Sequence, residues 1–182
     1  MSKTLKIVLT GAESTGKSTL SEKLAAHYQV SWIPEFSRSY VENLQRKYTY
    51  SDIEYIAKHQ MQTENELSNQ KIIFFDTWLI ITKVWFDFVY GKHPEWLHQA
   101  ILNSTIDLFL VCDVDMPWIA DPLRENGGTN RQILHDIYLN ELKQYNFAFE
   151  IISGTGEERM LKALEAVNRC VQKLQPTFLH NH

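Results

Sequence analysis

A chain of 182 residues with 44% hydrophobic and 12% aromatic content has the size and composition of one packed domain, which excludes a disordered or fibrous protein. Its formal net charge of −4, with no cluster of Lys and Arg, weighs against a nucleic-acid-binding surface. Cys112 and Cys170 are too few for a disulfide framework and lack metal-ligand spacing, and the first apolar run is too short for a signal peptide or a membrane span, so a soluble, cytoplasmic protein is expected.

Leu5–Thr10 reads as a strand and runs into Gly11-Ala12-Glu13-Ser14-Thr15-Gly16-Lys17-Ser18, the spacing of a phosphate-binding loop: Gly, four free positions, then Gly-Lys-Ser. The chemistry calls for these residue types. Two glycines let the main chain turn tightly and present N–H groups to a polyphosphate. The helix that follows, Lys17–Tyr28, aims its positive end at the same anion. The Lys17 ammonium reaches the outer phosphates, and the Ser18 hydroxyl is placed to ligate Mg²⁺. Gly11, Glu13, Ser14, Thr15, Gly16, Lys17, Ser18 and Thr19 are therefore the expected nucleotide-binding residues, with ATP and Mg²⁺ as the bound species.

Val30–Ile33 is a short strand halted by Pro34, and Phe36–Arg46 is expected to be helical. Ser51 and Glu54 have capping-box spacing, opening a helix to about Asn69. Ile72–Phe75, ending in Asp76, is the unbroken apolar run of a strand covered on both faces. Trp78–Tyr90 is apolar nearly all round and reads as a buried helix ended by Gly91; Pro94 starts another, to Leu102. Leu108–Cys112, followed by Asp113, is a strand. Asp121–Arg131, with Gly127-Gly128, is a polar excursion. Thr129 with Gln132 caps a helix faced by Ile133, Leu134, Ile137, Tyr138, Leu142 and Tyr145. Phe149–Ile152 is the last strand, and Thr155 with Glu158 caps a helix faced by Met160, Leu164, Val167, Val171 and Leu174. Residues 1–176 thus form one domain, with 177–182 a frayed tail.

Strands alternating with helices predict a five-stranded parallel sheet with right-handed crossovers and a ligand crevice beyond the carboxyl ends of its strands. Four polar features fall there: the phosphate loop, Glu35, Asp76, and Asp113 with the excursion after it. Asp76, closing an apolar strand, has the pattern of the carboxylate that meets Mg²⁺ beside a phosphate loop. Glu35 suits a general base that accepts a hydroxyl proton, with Arg38 three residues on to neutralise developing charge. Arg124 and Arg131 flank the Gly127-Gly128 hinge of a short lid that would bring arginines to the transferring phosphoryl group. Arg124 carries more weight; Arg131 is expected to face water from its helix. Ser153–Gly156 either borders the adenine or is a plain turn before the last helix. His59, His93, His98 and His135 have no mutual metal spacing.

Gly-Ala-Glu-Ser-Thr-Gly-Lys-Ser-Thr-Leu, together with Glu35-Phe36-Ser37-Arg38, His59-Gln60, Phe75-Asp76-Thr77, Gly91-Lys92-His93-Pro94 and Trp118-Ile119-Ala120-Asp121-Pro122-Leu123-Arg124, resembles the ribosylnicotinamide kinase domain of the NadR proteins over residues 5–175. The resemblance implies a P-loop NTPase fold of the nucleoside-kinase kind and Mg·ATP-dependent phosphorylation of the ribose 5′-hydroxyl of nicotinamide riboside. It assigns phosphate and metal to Lys17 and Ser18, the metal side to Asp76, the lid to Arg124 and the acceptor side to Glu35. Two positions depart from the family's pattern: Pro34 and Asn65 stand where that family has ring-stacking aromatics. The expected partners are ATP and a small nucleoside-like acceptor, with no nucleic acid or membrane and the oligomeric state left open. The rival expectation is a nucleotide-binding switch or regulatory module, against which the chain has no Asn-Lys-x-Asp guanine-reading motif.

Overall fold

A computed structural model describes residues 3–66 and 70–174. The expected helical continuation to Asn69 and the tail 177–182 lie outside the described residues. Among those described, the strands are β1 (Leu5–Thr10), β2 (Trp32–Ile33), β3 (Ile72–Asp76), β4 (Leu108–Cys112) and β5 (Phe149–Ile152). The helices are α1 (Lys17–Tyr28), α2 (Phe36–Glu42), α3 (Tyr50–Glu66), α4 (Leu79–Tyr90), α5 (Glu95–Leu102), α6 (Thr129–Gln144) and α7 (Gly156–Leu174).

The strands pair in parallel in the order β2-β3-β1-β4-β5, so the expected α/β architecture is present. Strand alternation splits the core in two. Leu5, Ile7, Leu9 and Phe74 face α1 and α7 through Leu20, Leu24, Ala163 and Val167. Val8, Ile73, Phe75 and Phe109 face Ile53 of α3, Leu79 and Val84 of α4 and Leu134 of α6. β3 and β4 are buried along their whole length, which is why their sequences carry no polar alternation. None of the described helices is long and apolar enough to cross a membrane.

Local readings differ from the structure where a helix start depends on which carboxylate reaches back. α3 opens one residue before Ser51. The Asp52 carboxylate accepts the Thr49 N–H at 2.7 Å and the Thr49 hydroxyl at 2.6 Å, so the carboxylate that reaches back over the helix start is Asp52, onto Thr49. Glu54 instead takes Lys58 and the Trp96 indole N–H. Asp52 also accepts Arg46 and Tyr40; the Arg46 guanidinium, then Thr49, hold its carboxyl well below the usual range. That loop anchor follows the early end of α2 at Glu42. α6 follows Gly128, which stands at φ 61°, with no side-chain cap, and Gln132 donates to Asp136. α7 buries Arg159, Ala163, Ala166, Val167 and Val171, a phase one residue from the expected face, and leaves Leu174 exposed. α4 is buried as far as Phe86 but not at its end, for Phe88, Val89 and Tyr90 are exposed, and Ile133 on α6 is exposed too.

Gly11 ends β1 at φ 137°, and a Cβ there would lie 2.6 Å from the Cys112 carbonyl oxygen at the end of β4. Two main chains meet at that point, leaving no flexible group to yield. Gly11→Ala is expected to cost about 2–4 kcal/mol of folding stability, read as a lowered urea midpoint; a loss within about 0.5 kcal/mol would show that this approach is not tight.

Candidate functional site

The β1–β3 register places Leu9 beside Asp76, and the Thr77 N–H donates to the Leu9 carbonyl at 3.0 Å. The phosphate loop that leaves β1 and the carboxylate that ends β3 therefore emerge side by side. Within the loop, Ser14 and Gly16 both have positive φ, 58° and 77°, the left-handed turns by which a main chain forms an anion-binding concavity. The Lys17 ammonium folds back onto the Ala12 carbonyl at 2.9 Å, which also accepts the Thr15 hydroxyl at 2.8 Å. Ser18 and Thr19 are exposed at the helix start.

Asp76 is 2% exposed, and neither of its carboxylate oxygens has a hydrogen-bond partner. Burial, reinforced by the Glu35 charge, pushes its pKa up to about 6, while Ser18 and Lys17 pull the other way. A buried carboxylate without a donor is costly, and a divalent cation is the group that would relieve it. Asp76 and Ser18 supply the hard oxygen donors that Mg²⁺ takes, in the small protein share usual for Mg²⁺ at phosphates. No group of three or more His, Cys, Asp or Glu among the described residues could hold a metal, so the residues fit a cation shared with phosphate oxygens rather than an all-protein cage.

Beside Asp76 opens a cavity of about 380 Å³. Trp32, Ile33, Pro34, Phe36, Phe75 and Trp78 give it apolar walls, Glu35 and Asp76 are its charged carboxyl groups, and neither Lys nor Arg lines it. Phe36 and His59 stack face to face at 3.6 Å with planes 7° apart. Gln60, buried, accepts the Thr82 hydroxyl at 2.7 Å, which fixes its amide. Glu35 accepts the Ser37 hydroxyl at 2.8 Å. Thr77, a β-branched residue at φ 69°, holds a strained turn at the cavity floor. Pro34 lines the cavity wall; the side chain of Asn65 lies outside the described residues.

The arginines divide differently from their expected roles. Arg38 does not pair with Glu35; it donates to Asp121 of the lid at 2.6 Å and pairs with Glu42 at 3.3 Å. Arg124 donates to the Ile119 carbonyl at 2.5 Å and approaches Ser14 Oγ at 3.5 Å, so it stands over the loop. Arg131, expected in water, is 8% exposed and donates to the carbonyls of Met116 and Ser14 at 2.9 and 3.1 Å. Sequence reasoning passed over Arg159. It is 4% exposed and donates to the Thr15 and Gly154 carbonyls at 2.9 and 2.6 Å and to the Asp115 carboxylate. It ties the turn Ser153–Gly156 to the phosphate loop. Its signal was a charge in phase with the small, buried face of α7.

The folded Asp76 carboxyl titrates near 6 and its unfolded counterpart near 4, so the native state loses stability as pH rises through that window and stays lower above it. Asp76→Asn is expected to raise the stability of the nucleotide-free protein by about 2 kcal/mol at a pH of about 8. The gain should vanish near pH ~4. Urea unfolding across that range measures it, and a variant less stable at the alkaline end contradicts the assignment.

A family model described as an AAA domain matches residues 6–159. Over 170 residues, 88% of the chain, it is 28% identical to the trifunctional NAD biosynthesis/regulator protein NadR of Salmonella typhimurium. It covers 41% of that protein, so the chain spans about two fifths of the length of the curated relatives it matches. A crystal structure of a NadR protein in complex with NR superposes with a TM-score of 0.72 at 18% identity, over 98% of this chain and 53% of that one. Deoxyadenosine kinase from M. mycoides, with dCMP and dCDP bound, gives 0.65 at 15% identity over 91% of this chain and 100% of that one. The fold is that of the P-loop kinases, and the resemblance to NadR read from the sequence motifs is borne out.

Proposed function

The chain belongs to the AAA domain family, and from that premise we propose that it is an ATP-dependent small-molecule kinase that phosphorylates the 5′-hydroxyl of nicotinamide riboside or a related nucleoside. The observation that carries this reading is the cavity beside the phosphate loop, with apolar walls, two carboxyl groups and no cation among its lining residues. Such walls suit a flat base. The carboxylates suit an acceptor that is neutral or cationic and repel one that already carries phosphate. A module that only binds nucleotide and signals has no use for a second pocket of this kind, so the switch reading is the weaker one.

In this reading the loop residues Gly11–Ser18 hold the donor's phosphates through main-chain N–H groups, and Lys17 leaves the Ala12 carbonyl to bind the outer phosphate. Ser18 and Asp76 would hold Mg²⁺, which when bound would neutralise phosphate charge. Glu35, oriented by Ser37, accepts the proton of the attacked hydroxyl. It is preferred to Asp76 because a carboxylate given over to a metal is a poorer proton acceptor. Arg124 supplies charge from the lid to the transferring phosphoryl group. Arg38 acts at one remove, holding Asp121 of the lid.

Incubation with Mg·ATP and a panel of nucleosides and nucleoside monophosphates, followed by chromatography, should give one phosphorylated nucleoside and no diphosphate product. Glu35→Gln is expected to lower kcat by about 10²–10⁴-fold with ATP affinity within about twofold of the unmodified protein. Failure of every nucleoside to react with protein that binds ATP would sink the kinase reading; an undiminished rate in the variant would remove Glu35 as base.

A further inference from the structure

Phosphate binding gives no reason for a carboxylate in the loop itself, since a negative side chain there repels the polyphosphate it surrounds. Glu13 is such a residue, and its partners all lie in the lid. One carboxylate oxygen accepts the Asn126 main-chain N–H at 2.9 Å; the other receives the Asn126 side-chain amide at 3.4 Å and the Glu125 N–H at 3.5 Å. The Asn126 N–H makes a close charge-assisted bond to this anion, and the Glu125 N–H approaches it at longer range. The contact sits directly before Gly127-Gly128, where the lid joins α6. The neighbouring Ser14 holds the lid's other limb, its hydroxyl accepting the Ile119 N–H at 3.0 Å and donating to the Pro117 carbonyl at 3.3 Å. Arg38 with Asp121 and the Tyr48 hydroxyl with Glu125 at 3.0 Å tie the same segment to α2 and to the loop after it.

We propose that Glu13 is a positioning residue: its side chain latches lid residues 125–126 to the phosphate loop, so that loop and lid move as one unit and water is kept from the transferring phosphoryl group. The proposal rests on the kinase reading above. Its electrostatic cost to nucleotide binding is offset by what the latch secures, namely transfer to the acceptor rather than to water.

The test uses the whole chain and the variants Glu13→Ala and Glu13→Gln, with Ser14 intact. Hydrogen exchange of the 125–126 amides should speed up about tenfold or more in the alanine variant, with the amides of β1, β3 and β4 unchanged. The ratio of nucleoside phosphorylated to ATP hydrolysed should fall about 10–100-fold, and the glutamine variant, which keeps one acceptor oxygen, should fall between. Unchanged exchange at 125–126, or an unchanged transfer-to-hydrolysis ratio in the alanine variant, overturns the latch. Should the unmodified protein phosphorylate no nucleoside, the kinase reading fails instead, and exchange at 125–126 still decides whether Glu13 holds the lid.

Discussion

Everything in the site depends on β1 and β3 ending at the same level. Their parallel pairing sets Leu9 beside Asp76, and because both faces of the sheet are covered by packed cores, a slip in register would exchange side chains between two differently packed interiors. The register is therefore fixed by the core and not by the site. The phosphate loop and the Asp76 carboxylate inherit their proximity from it. Placing that carboxylate at the closed end of an apolar strand raises its energy, and Glu35 raises it further. The native fold carries this strain because the hydrophobic faces on either side of the sheet outweigh it, a division of labour common at functional sites.

How much of this was legible before coordinates depended on the range of each interaction. The sheet, the loop and Asp76 were readable because apolar runs and glycine spacing are local signals, and the parallel order follows from their alternation with helices. Helix starts were readable only to within a residue or two: Ser51 with Glu54 and Thr49 with Asp52 both satisfy a capping pattern, and Arg46 and Tyr40, drawn in by folding, settle it in favour of Asp52. The arginines were the least legible. Nothing near Arg38 in sequence announces Asp121, 83 positions on. Arg131 and Arg159 bond mainly to carbonyl oxygens, which every residue owns and no pattern marks.

The site also has two unequal halves. In one half, loop, lid and the turn after β5 are cross-braced by buried arginines that reach main-chain atoms, so the geometry there is tied to the fold. The cavity half is walled by side chains of Trp32, Ile33, Pro34 and Phe36 together with α3.

β2 contributes just two residues to the sheet, pairing along one edge with β3. Remodelling so slight an outer strand disturbs few ladder bonds, and its Trp32 and Ile33 each pack against the edge of one core. The cavity wall at β2 is therefore the part of the sheet least bound by the hydrogen-bond ladder, so its side chains can change while the scaffold that carries the phosphate loop stays as it is.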